Sequence, residues 1–208
     1  MLGGTAFAAW QQYQEHSQHF TVRREDNPAN WAAIDSAIHL LKSGDIVLRA
    51  GADATSMMLM QMNQRDKSYS HCGIVLIEHG YPFVYHCIGG EDNPDERLRR
   101  DSASLFFSPF NNERLGIARL PLNSRQLDSL SGIVGRYFKA RMPFDMDFDL
   151  STNDRFYCSE FVCKSIEECV GDTAYFSRSH AMNKDYIGID NLTDPRRAEL
   201  ICDVRYRL

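Results

Sequence analysis

The chain has 208 residues, with 28 acidic against 23 basic side chains and a formal net charge of -5. That size fits one domain with a full core, and so mild a charge leaves no electrostatic footprint for a nucleic acid partner. The 43% apolar content excludes a disordered or fibrous chain, and no apolar run approaches the ~20 residues a membrane span needs.

The stretch from Met1 to Trp10 has no basic region ahead of it and breaks into Gln-rich sequence, so no signal peptide is predicted and synthesis in the cytoplasm is expected. Residues 5–19 predict a polar helix. Residues 28–42 predict a second, opened by Asn27-Pro28, with Trp31, Ile34, Ile38 and Leu41 at helical spacing and Gly44 beyond its end. Residues 1–42 are thus expected to be an N-terminal helical segment packing on a main domain of residues 43–208.

That domain opens with a short strand, Asp45 to Arg49. Residues 54–64 predict a helix whose Met57, Met58, Leu59, Met60 and Met62 read as core filling. A hairpin follows, with strands over 70–77 and 82–88 and a turn over 78–81. The charged stretch up to Arg100 reads as a loop with a solvated surface. A strand is predicted over 115–120 and an amphipathic helix over 124–141. After an Asp- and Phe-rich loop comes a helix from about Asp154 to Val170, ended by Gly171, and then a final strand over 201–206. Short strands in the middle with helices on both sides predict an α+β fold with a small antiparallel central sheet.

The six cysteines contain no C-x-x-C pair, which argues against a zinc site, and in a chain of this length they demand no disulfide framework. One of them stands apart. In the segment from Asn153 to Cys163, Asn153 or Asp154 is a natural helix cap, which places Cys158 in the first turn. Unpaired backbone N–H groups and the positive end of the helix dipole there favour a thiolate, the nucleophilic form. The same donors can hold an oxyanion.

Such a thiol needs a base within hydrogen-bond reach. Of seven histidines, His71 and His86 sit on the two strands of the predicted hairpin, opposite or nearly opposite one another, and so on one face. Satisfied structural histidines remain the alternative at this point. The acidic run Asp145, Asp147, Asp149 lacks the glycine and terminal Glu of a calcium loop, so no metal cofactor is expected.

The segments Gly44-Asp-Ile-Val-Leu-Arg49, Ser70-His-Cys-Gly-Ile-Val75 and Phe156-Tyr-Cys-Ser-Glu-Phe-Val162 resemble, in that order, the motifs of the YiiX/YebB-like cysteine hydrolases. These are the circularly permuted branch of the NlpC superfamily of papain-like enzymes, in which the histidine strand precedes the cysteine helix. Pro143-Phe-Asp145 resembles the aromatic-Asp segment ahead of the family's cysteine. The resemblance covers residues 43–170 and implies a permuted papain-like fold.

It also implies roles: Cys158 as nucleophile, His71 as general base, and His86 as the third member, where the family often carries Glu. By the same token Tyr157 helps shape the oxyanion site, and Asp45 and Arg49 lie near the cleft entrance, unless they form a strand-end ion pair. The implied chemistry is acyl transfer without a cofactor. The implied substrate is an amide bond, foremost in peptidoglycan peptides. Peptidoglycan lies outside the cytoplasm, so a chain without a leader is expected to be a type VI secretion effector acting in a rival's periplasm, with an immunity protein and the secretion machinery as partners. A lipid acyl hydrolase or acyltransferase of the same fold and a catalytically silent binding module are the alternatives.

Overall fold

A computed structural model describes residues 23–89, 96–181 and 183–208; the helix expected over 5–19 lies outside them. In chain order the elements are α1 (Pro28–Leu40), β1 (Ile46–Gly51), α2 (Ala54–Met60), β2 (His71–Glu78), β3 (Tyr81–Cys87), β4 (Leu98–Ser102), α3 (Ala103–Phe106), β5 (Asn112–Arg119), α4 (Ser124–Lys139), α5 (Cys158–Val170), β6 (Ser179–Ala181), β7 (Lys184–Tyr186), α6 (Ile189–Leu192) and β8 (Glu199–Arg205). Six strands form one antiparallel sheet in the order β4-β3-β2-β1-β5-β8, and β6 and β7 form a separate pair. The fold is α+β, with helices on both faces of this sheet.

Alternation along the strands divides the core in two. Ile46, Leu48, Cys72, Ile74, Leu76, Tyr85 and Cys87 face the layer containing Leu130 and Val134 of α4 and Phe161, Val162 and Ile166 of α5. Val47, Val75, Val84, Leu115 and Ile117 face the other way, onto Ile34 and Ala37 of α1 and Phe106 of α3. Each large side chain fully buried in this way contributes ~1.5–3 kcal/mol.

The helices begin where local chemistry allows. Asn27 caps α1, its side chain accepting from the Ala29 N–H at 3.0 Å, with Pro28 at the first helical position. Asn123 and Gln126 close a reciprocal box at the start of α4, each side chain accepting from the other's backbone N–H at 3.0 Å. The hairpin turn is tighter than expected: His79 (φ 50°) and Gly80 (φ 85°) form a two-residue connection, the pair of positive φ values that matches strand twist.

Three expectations need correction. The stretch before Arg100 is not a solvated loop throughout, because Leu98–Ser102 forms the edge strand β4, where its charges are well placed. Arg100 lies over the Phe83 ring at 3.3 Å and pairs with Glu78 at 2.6 Å. Residues 54–60 are not wholly core-filling: Met60 is buried, but Met57 and Met58 are exposed. Finally, α5 starts four residues later than expected. Phe156 is held in extended pairing, its N–H donating to Pro143 O at 3.0 Å and its carbonyl accepting from the Asp145 N–H at 3.1 Å. Tyr157 therefore becomes the N-cap position and Cys158 the first helical residue.

Candidate active site

Cys158 occupies the helical position where backbone N–H groups lack intrahelical acceptors. A hydrogen bond from the Cys72 thiol, opposed by burial and helped by the backbone N–H groups of Cys72 and Ser159, holds the Cys158 thiol below its ordinary pKa. Burial pushes the Cys72 thiol well up, so it stays protonated and acts as donor. All six cysteines are free.

The Cys72 N–H belongs to the peptide joining it to His71, so the Cys158 sulfur rests against the backbone of the residue that carries the imidazole. His71 and Cys72 leave the strand on opposite faces. Cys72 joins the helix layer with Cys158, whereas the His71 ring lies 5.7 Å from the Phe106 ring on the other side. His71 is the first residue of β2, at the end of the sheet. The sulfur and the ring thus lie on opposite faces of β2, not on the one face expected from the sequence, and no hydrogen bond joins them among the described residues.

The two histidines do meet. His71 Nε2 and His86 Nδ1 are 2.8 Å apart, with the rings nearly perpendicular at 76°. The register makes them nearly opposite, one of the two expected arrangements. Ile74 pairs with Tyr85, which sets His86 across from Gly73 and leaves His71 one step away along the diagonal. A Cβ on Gly73 would stand 3.0 Å from His86 Cβ, so the glycine supplies the space in which the second ring lies.

Beyond His86 the line continues to a residue that sequence reasoning missed. His86 Nε2 lies 3.1 Å from Asp101 Oδ2 on β4, and Arg99 holds the same carboxylate at 3.1 Å. The signal was a strand hidden by its charges, Leu98 to Ser102, which pairs with β3 so that Asp101 and Arg99 share the face of Val84 and His86. Burial works to raise the Asp101 carboxyl, but the hydrogen bond from His86 and the Arg99 charge outweigh it and hold it below the ordinary carboxylate range.

Both imidazoles are neutral at pH 7. Burial, then the positive charge of Arg49, lowers His71 well below its usual value. Burial, opposed by Asp101, brings His86 down to about 4. Arg49 pairs directly with His71 across β1 and β2, lies 4.9 Å from the Phe106 ring centre and donates to Phe106 O at 3.3 Å, which places it beside the histidines.

Asp45 is not there. It precedes the opposite end of β1 and is almost wholly buried. Its carboxylate accepts from Arg119 at 2.7 and 2.8 Å and from the Lys42 N–H at 2.8 Å. Asp45 and Arg49 lie four strand residues apart, about 13 Å, too far to form the strand-end pair; Asp45 is a structural anchor for β5.

Tyr157 stands at the N-cap position directly before Cys158. Its hydroxyl accepts from the Ile187 N–H at 2.9 Å, and its own N–H donates to Glu160 Oε2 at 3.2 Å. It therefore ties the start of α5 to the segment before α6. Asp145 accepts from the N–H groups of Asp147 and Asp149 at 2.9 and 2.7 Å, which shapes the loop ahead of the cysteine.

Among the described residues no group of three or more His, Cys, Asp or Glu side chains converges on a point where a metal could sit. His71, His86 and Asp101 form a line, each nitrogen between rings already engaged, rather than a cage. No described helix is long and apolar enough to cross a membrane.

No described protein family and no curated protein matches this chain. Among solved structures, the chain is similar to yiiX from Escherichia coli O157:H7, which is described as a metalloprotein. The TM-score is 0.65 at 17% identity, and the match covers 79% of this chain and 98% of that one. At such identity the likeness concerns the fold, and the fold of this chain is of the kind seen in yiiX.

Proposed function

We propose that this protein is a cysteine hydrolase of the circularly permuted papain-like type, in which Cys158 attacks an amide carbonyl and His71 is its base. The observation that carries the reading is the placement of Cys158. Its thiol has a depressed pKa, stands at the first position of a buried helix, and rests against the backbone of a histidine whose far nitrogen is already tied to a second histidine.

In this mechanism the thiol proton passes to the His71 nitrogen that His86 does not occupy. The sulfur adds to the carbonyl, and the backbone N–H groups of Cys158 and Ser159 stabilise the oxyanion. His71 then protonates the leaving amine, and water, deprotonated by His71, releases the acyl group. Hydrogen bonds between nucleophile and base in unliganded enzymes are commonly long and shorten when substrate binds; this reading requires such an approach of Cys158 and His71 when substrate binds.

The substrate we propose is an amide bond in a peptidoglycan peptide. Residues 43–208 would form the hydrolase domain, and residues 1–42 a segment serving delivery as a secretion effector into the periplasm of another bacterium, where an immunity protein would be its counterpart. Mass spectrometry of purified peptidoglycan digested with the wild type and with Cys158→Ala tests the reading: new muropeptides with the first and none with the second are expected. Equal toxicity of the two proteins when directed to the periplasm would remove the effector role.

One observation favours a second reading, a lipid acyl hydrolase or acyltransferase. Met57 and Met58 are exposed on α2, just beyond the end of β1 that faces His71, where they offer an apolar surface to an acyl chain. Turnover of a short-chain thioester or ester together with inertness toward muropeptides would select it.

A further inference from the structure

Three groups lie in sequence on one face of the sheet: His71 on β2, His86 on β3 and Asp101 on β4. The two links between them measure 2.8 and 3.1 Å. Such a line has direction. An ionised carboxylate can only accept, so the proton between Asp101 and His86 must sit on His86 Nε2. A neutral imidazole with its proton on Nε2 presents a lone pair at Nδ1. That lone pair can only accept from His71, so the His71 proton sits on Nε2. The lone pair of His71 is then forced onto Nδ1, the nitrogen that makes no hydrogen bond among the described residues.

We infer that Asp101 is a positioning residue: its carboxylate sets the tautomer of His86, and through it that of His71, so that Nδ1 of His71 is the atom that receives the Cys158 proton. Arg99 supports the arrangement by holding both carboxylate oxygens, at 3.2 and 3.1 Å. The roles change little during reaction. When Nδ1 takes the thiol proton, His71 becomes an imidazolium that still donates through Nε2 to His86, and the Asp101 charge at the end of the line stabilises it. No proton need pass beyond His71.

Removing the carboxylate reverses the line. Arg99, whose guanidinium meets the same Asp101 oxygen as His86 Nε2 and whose residue pairs with His86 across β3 and β4, is then a charged donor beside that nitrogen. A guanidinium is a donor, so Nε2 becomes the acceptor and the His86 proton moves to Nδ1. His71 must then accept at Nε2 and carry its own proton at Nδ1, where a base is needed.

This inference rests on the hydrolase reading, but its first test needs no substrate. Spectra of 15N-histidine-labelled protein distinguish imidazoles protonated at Nε2 from those protonated at Nδ1, with assignment by His71→Gln and His86→Gln. In the wild type both rings are expected to carry Nε2 protons. In Asp101→Ala, His71 is expected to shift to the Nδ1 form, and hydrolysis to fall by about 10²-fold or more, the share general base catalysis commonly supplies. Asp101→Glu, which restores an acceptor, is expected to keep the wild-type tautomers and recover much of the rate.

A wild-type His71 protonated at Nδ1 would overturn the inference, and so would an Asp101→Ala protein with unchanged tautomers and rate. If Asp101→Ala does not fold, the wild-type spectrum decides alone. Nε2 protons on both rings without any hydrolysis would remove the hydrolase reading and leave the tautomer assignment standing. Hydrolysis with an Nδ1 proton on resting His71 would do the reverse.

Discussion

Replacing Gly73 by alanine tests the link between the sheet and the site, because this position lies beside His86, one residue beyond the Ile74–Tyr85 pair that ends the β2–β3 ladder. A Cβ there would lie 2.7 Å from Tyr85 O, 2.7 Å from Val84 Cγ1 and 3.0 Å from His86 Cβ, where ordinary contact begins near 3.4 Å. Val84 is fully buried and cannot swing clear, and Tyr85 O is backbone, so the strands must part by several tenths of an ångström. Overpacking of this kind costs ~1–3 kcal/mol. Against it stands the ~0.5–1 kcal/mol gained by removing glycine's backbone freedom in a strand. The net expectation is a destabilisation of ~0.5–2 kcal/mol, read as a lowered urea midpoint with an unchanged slope.

The functional effect should be larger than the stability effect. Parting the strands stretches the 2.8 Å bond between His71 and His86, and a displacement approaching 1 Å at such a site costs up to about 10²-fold in rate. Hydrolysis measured well below the unfolding midpoint separates the two effects. Gly73→Ala with a wild-type midpoint and a wild-type rate would refute the argument that this glycine makes room for the second histidine.

The other predictions concern charge. Arg49→Met removes the cation that helps keep both imidazoles neutral, so the pKa values of His71 and His86 should rise; titration by NMR checks this, and unchanged or lower values would contradict it. Burial raises the Glu160 carboxyl from 4.5 to about 7 despite the Lys164 charge beside it. Because the folded value lies above the unfolded one, the stability tied to its protonation is complete below the unfolded pKa and is lost as the pH climbs through about 7. Glu160→Gln should flatten the pH dependence of the urea midpoint across that window, and a curve with the wild-type slope would count against this account.

Much of the framework was legible in the residues. Asn27-Pro28 marks a helix start because capping is local, and the hairpin over 70–88 shows in its alternation because its partner is the next segment of chain. Cys158 could be singled out because the helix behind it has one apolar face, although the cap lay later than Asn153 or Asp154 suggested. That shift was decided by Phe156, whose pairing with residues 143–145 is a contact between segments that no local signal reports.

What only the tertiary structure decided depends on long-range pairing. Asp45 belongs to Arg119, 74 residues away in sequence, rather than to the cleft. Tyr157 serves Ile187, and the charges of Leu98 to Ser102 hid an edge strand that brings Asp101 to His86. A sequence can show which residues share a strand face, because that follows from a period of two. Which strand lies beside it, in what register, and hence which charge meets which ring follow from the closing of the whole sheet.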